Sequence, residues 1–162
     1  MTWRDAFLKQ ARSDHAIFEK LNDPRVEYSH QLHYFQMTAE KLAKGLLTDP
    51  AATIAPATTH AAFVRMLQVL KTRPEIRRQL GFSDASTFRR YIDSLLDMAA
   101  RIERLAPAHA GLTQPNPEYP WQDPATGEVL VPADFAFSEF NPKSVRMQKL
   151  DGLIRALLHI TT

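Results

Sequence analysis

A chain of 162 residues, 44% hydrophobic and 23% charged with a formal net charge of +2, has the length and make-up of one globular domain rather than of a disordered or fibrous protein. It contains no cysteine, which excludes disulfides and thiolate chemistry. It also has no apolar run approaching the roughly 20 residues that a membrane-spanning helix needs. The opening residues, MTWRDAFLKQARSD, are charged from the fourth position, unlike a secretory signal, so a cytoplasmic protein without a membrane partner is expected.

The first helix is predicted from Thr2 to Leu21, with Trp3, Phe7, Ala11, Phe18 and Leu21 facing inward, and Asn22-Asp23-Pro24 ends it. The second runs from Tyr28 to Leu47. Its apolar residues Tyr28, Leu32, Phe35, Ala39, Leu42 and Leu46 recur in steps of four and three, one continuous stripe with polar residues opposite. Thr58 or Thr59 is positioned to cap a third helix bearing Phe63, Met66, Leu67 and Leu70. Pro74 suits the first turn of a short helix that Gly81 closes. Ser83 is expected to cap a long fourth helix, with the stripe Phe88, Ile92, Leu95, Ala99 and Ile102, that Pro107 terminates. The last helix is expected to open at Asn141-Pro142 and to bury Met147, Leu150, Ile154 and Leu157. The expected fold is an all-α antiparallel bundle of four long helices plus one short helix, forming a single domain over residues 1–162.

Residues 106–142 interrupt this pattern, holding seven of the eleven prolines in a connection long for a bundle. Tyr119, Trp121, Phe135, Phe137 and Phe140 make the stretch too apolar for a solvated linker. It is read as a loop stapled onto the bundle by its aromatics, with Gly127–Pro132 as a short strand or extended patch. Charge is segregated too. Lys71, Arg73, Arg77, Arg78, Arg89 and Arg90 form a basic block, whereas residues 105–142 have no Lys or Arg and carry Glu118, Asp123, Glu128, Asp134 and Glu139.

The second helix contains Phe35-Gln36-Met37-Thr38-Ala39-Glu40-Lys41-Leu42-Ala43-Lys44-Gly45-Leu46-Leu47; Thr59-His60 opens the next helix, with Leu67 further along it, and Tyr119-Pro120 follows the fourth. In this order and separation, covering residues 5–121, the chain resembles the HEPN family (higher eukaryotes and prokaryotes nucleotide-binding), small helical bundles. The resemblance implies dimerisation through helix faces, for which Tyr34, Met37, His30 and His33 beside the stripe are suited. It also implies a place beside a nucleotidyltransferase or in a toxin–antitoxin, defence or stress system. Many relatives are similar to ribonucleases that use an Arg and a later His with four to six residues between them. Many also carry Arg before Tyr-Pro, where this chain has Glu118.

Chance alone supplies one or two Arg/His pairs of that spacing in a chain of this composition, about the number present. They are Arg25…His30 and Arg104…His109. Placement favours Arg104 and His109, which follow the fourth helix, as the catalytic pair. A neutral His would take the 2′-hydroxyl proton of RNA and Arg would steady the phosphorane charge. For binding RNA or a nucleotide, the candidates are Lys71, Arg73, Arg77, Arg78, Arg89, Arg90 and Lys44, although Glu40 and Lys44 also read as an i,i+4 pair on a solvated face. Glu27-Tyr28-Ser29-His30 with His33 is the nearest approach to a metal motif, but no second Glu-x-x-His accompanies it, so no metal is expected. With five glycines and no phosphate-binding loop, no cofactor is expected either. The leading reading is a non-catalytic HEPN-like accessory module, the second a metal-independent ribonuclease of the toxin type, the third a metal-binding bundle.

Overall fold

Thr2 opens helix α1 (Trp3–Lys20) with a reciprocal cap: its hydroxyl accepts the Asp5 N–H and the Asp5 carboxylate accepts the Thr2 N–H. In the computed structural model, which describes residues 1–54 and 61–161, there follow α2 (Tyr28–Leu47), α3 (Ala62–Leu70), α4 (Pro74–Gln79), α5 (Ala85–Asp93), α6 (Leu96–Arg104), α7 (Pro107–Ala110) and α8 (Val145–Ile160). A two-residue strand pair, β1 (Trp121–Gln122) with β2 (Val129–Leu130), lies in the connection before α8. The fold is all-α.

Helix α2 is the centre. Leu32, Phe35, Ala39, Leu42 and Ala43 are at most 1% exposed, as the stripe requires. The opposite face is not solvated as the spacing suggested. Ser29, Gln31, Gln36, Thr38 and Glu40 are buried as well, because neighbours cover the helix on more than one side. Helix α1 runs antiparallel to it, with Lys41 against Asp14 at 2.5 Å and Phe18 against Phe35 at 5.0 Å between ring centroids. Gly45 permits this approach, since a Cβ there would lie 2.8 Å from Leu8 Cγ and 3.3 Å from its backbone nitrogen. The closeness turns α1 so that Leu8, Ala11, Asp14 and His15 point inward. Of the residues expected there, Ala11 is buried, Phe7, Phe18 and Leu21 are half-buried, and Trp3 lies outside.

Helix α8 lies antiparallel to α1, with Arg12 donating to the Thr161 and Leu158 carbonyls and His15 meeting Asp151. Met147, Leu150, Ile154 and Leu157 are buried as expected. Its cap is Ser144, whose hydroxyl accepts the Met147 N–H. Asn141 instead accepts the Lys143 N–H and shapes the turn before the helix.

The long fourth helix is two helices. Ser94 bonds its hydroxyl to the Tyr91 carbonyl and the regular structure breaks before Leu95, yet Phe88, Ile92, Leu95, Ala99 and Ile102 all stay at most 1% exposed across the break. The cap of α5 is Asp84 rather than Ser83: its carboxylate takes the Thr87 N–H at 2.6 Å and the Ser86 hydroxyl at 2.7 Å. These hydrogen bonds hold that carboxyl far below its ordinary range. Pro107 ends α6 and begins α7.

Thr58, Thr59 and His60 lie outside the described residues. The free N–H groups at the start of α3 are met from across the bundle, where Glu103 Oε1 accepts from Phe63 at 2.5 Å and Val64 at 3.0 Å. Burial pushes the Glu103 carboxyl up, and those two N–H bonds oppose it.

In the connection of residues 106–142, part of the aromatic set is buried. Trp121, Phe137 and Phe140 are at most 3% exposed, whereas Tyr119 and Phe135 reach the surface. Phe137 adopts φ +40°, a left-handed backbone that costs a non-glycine residue about 1–2 kcal/mol. Its ring sits 4.9 Å from Phe135 and 6.3 Å from Trp121, and this packing offsets the cost.

Candidate functional site

The six cations of the basic block fall on the segment from the end of α3 to α5. Pro74 occupies the first turn of α4, and Gly81, at φ +81°, turns the chain back. Arg77 donates to the Ser83 carbonyl across that turn. Phe82 packs on Phe88 and Tyr91 at 5.2 and 5.1 Å, anchoring α4 and α5 to the core. Lys71, Arg73, Arg77 and Arg89 thereby line one cleft of about 230 Å³ with Thr72, Pro74 and Ala85. Arg78 and Arg90 lie on the same two helices, exposed.

These cations are weakly neutralised. Lys71 meets Asp93 at 2.7 Å, and Arg73 lies 3.9 Å from Glu75 with both side chains more than half exposed. The acidic connection does not cover them. Among the described residues its ion pairs go elsewhere, from Glu139 to Arg101 at 2.6 Å and from Glu118 to His33 at 3.7 Å.

Lys44 belongs to another environment. Its ammonium lies 2.6 Å from Glu40 Oε1, with both side chains 10% exposed, and 5.9 Å from the Phe7 ring centroid. Gln36 donates to the other Glu40 oxygen at 3.2 Å. The pair expected on a solvated face is therefore buried, and Lys44 is not part of the basic cleft.

Arg104 and His109 line one cleft of about 220 Å³, together with Arg101, Gln114 and Glu139. The turn through Pro107 into α7 brings them to the same opening. Arg101 is committed to Asp97 and Glu139, which raises its guanidinium further through the Glu139 bond first and the Asp97 charge next. Arg25 is held by Asp23 at 2.5 Å. On the proposed dimer face, His30 is exposed, while His33, Tyr34 and Met37 are half-buried within the chain. Burial holds the His33 imidazole below its ordinary value against the opposing charge of Glu118.

Among the described residues no group of three or more His, Asp or Glu side chains is placed to hold a metal ion, and no helix is long and apolar enough to cross a membrane. A further cleft, between α1, α2 and the start of α8, is built from Phe18, Tyr28, Gln31, Met147 and Asp151. The α1–α2 residues lie more than a hundred residues from the α8 ones in the chain and together form no motif, so nothing in the sequence pointed to it. No protein-family model matches this chain, nor does any curated protein or solved structure.

Proposed function

We propose that this chain is a HEPN-like, non-catalytic accessory module that holds single-stranded RNA through its phosphates. In this reading it is a cytoplasmic homodimer beside a partner enzyme. The sequence resemblance suggests a nucleotidyltransferase or another member of a toxin–antitoxin, defence or stress system. The observation that carries the RNA assignment is the convergence of Lys71, Arg73, Arg77 and Arg89 on one cleft that the acidic connection leaves open. Guanidinium groups bind phosphate oxygens through paired N–H donors, and a strand of phosphates spaced along a basic surface is what such a cluster neutralises. Fluorescence anisotropy with a labelled single-stranded RNA tests it: the double variant Arg77→Ala, Arg89→Ala should bind at least about tenfold more weakly than wild type. Equal binding by both proteins would remove the assignment.

A second reading is a metal-independent ribonuclease, supported by the shared cleft of Arg104 and His109. His109 would act as base toward the 2′-hydroxyl and Arg104 as the partner of the phosphorane charge. RNA cleavage that is robust in wild type and lost in both Arg104→Ala and His109→Ala would replace the non-catalytic reading. For the homodimer, a light-scattering mass near 18.4 kDa at micromolar concentration would count against it.

A further inference from the structure

Between the second half of α1, the first turns of α2 and the start of α8 lies a cleft of about 340 Å³, within the range of small-molecule sites. Its floor is apolar and aromatic. Phe35 is fully buried, Phe18 packs against it with ring centroids 5.0 Å apart, and Met147 is 4% exposed.

Gln31 lines this cleft and is only 6% exposed. Its side-chain amide has no hydrogen-bond partner among the described residues. No wholly enclosed side-chain nitrogen or oxygen there lacks a partner, so the Gln31 amide must keep contact with open space, and the space it borders is this cleft. An amide that borders open space can exchange water for the polar edge of a ligand.

The Tyr28 hydroxyl and the charged groups around Gln31 are already committed, while the Asn22 and Gln148 amides lie exposed at the rim. The Tyr28 hydroxyl donates to the Phe140 carbonyl at 2.5 Å. Arg155 bridges Glu19 and Asp151 at 2.8 Å each. No unpaired charge faces inward to select an ion. A carboxamide offers an acceptor and two donors side by side, the complement of another amide edge. We propose that this cleft binds a small, uncharged aromatic ring bearing an amide edge, seated on Phe18 and Phe35 with that edge paired to Gln31. The site is separate from the basic cleft and does not depend on RNA binding.

Benzamide and acetophenone have the same ring and carbonyl, but only benzamide has the N–H donors. Titrating each into the isotopically labelled full chain by NMR should show benzamide moving the Gln31 side-chain amide signals and the Met147 methyl, and binding about tenfold more tightly than acetophenone. Gln31→Leu should abolish that preference while keeping the helical spectrum; if that variant does not fold, Gln31→Met, which keeps the side-chain length but has no amide, should lose it too. Unmoved Gln31 signals at about 10 mM benzamide in wild type, equal affinity for the two probes, or a preference that survives loss of the Gln31 amide would each overturn the proposal.

Discussion

Lys41 and Lys44 on α2 and Arg73, Arg77 and Arg89 around α4 and α5 carry the same charge in opposite circumstances. At the α1–α2 seam each ammonium has its own carboxylate, Asp14 for Lys41 and Glu40 for Lys44, at 2.5–2.6 Å and with little exposure. On the α4–α5 face Arg73 and Arg89 are exposed and Arg77 is half-buried, around a cleft with few carboxylate partners. A buried charge needs its counter-charge to fold at all, so the seam cations are structural. Exposed ones contribute little to stability and are available to a ligand. Burial, not residue type, divides the two groups.

The comparison breaks most severely at the seam. Leu42→Asp places an unpaired carboxylate at a fully buried position of the central stripe, and a loss exceeding about 4 kcal/mol is expected. Circular dichroism would then show an unfolded chain at room temperature. Asp14→Ala strands the Lys41 ammonium and removes the Gln10 bond to Asp14, costing about 2–4 kcal/mol by denaturant unfolding. The joint change Asp14→Leu, Lys41→Met should recover most of that loss.

Asp151 sharpens the contrast by pH. Burial pushes its carboxyl up, but hydrogen bonds from His15 and Arg155 outweigh burial and hold it below its ordinary value. A carboxyl lowered on folding contributes stability above its unfolded value of about 4 and loses it as pH falls through the folded value. Asp151→Asn should therefore cost about 1–2 kcal/mol at pH 7, and the gap from wild type should shrink steadily below about pH 4. A gap that widens on acidification would contradict the assignment. On the α4–α5 face, Arg77→Ala with Arg89→Ala should change stability by no more than about 0.5–1 kcal/mol, since Arg77 gives up one carbonyl contact.

The apolar stripes of α2 and of the Phe88–Ile102 stretch were legible because a 3.6-residue period sorts side chains by face. The burial of Glu40 and Lys44 was not, because periodicity on one helix does not reveal how many neighbours surround it. The break at Ser94 and the caps by Asp84 and Ser144 depend on one residue's choice among adjacent hydrogen-bonding partners. The cap of α3 by Glu103 spans forty residues and has no local signature. Basic residues 71–90 were legible as a block, while their convergence on a cleft came from the turn at Gly81. Gln31 looked like one polar residue in an amphipathic helix, and only its surroundings distinguish it.

The central claim, that the α4–α5 cations are held in reserve for phosphates, is tested most directly by the salt dependence of RNA binding. Four phosphate contacts on a single strand give log K against log salt a slope of about −3, and the double variant Arg77→Ala, Arg89→Ala should flatten it to about −1.5. A slope unchanged by the double variant, or wild-type binding insensitive to salt, would contradict the account.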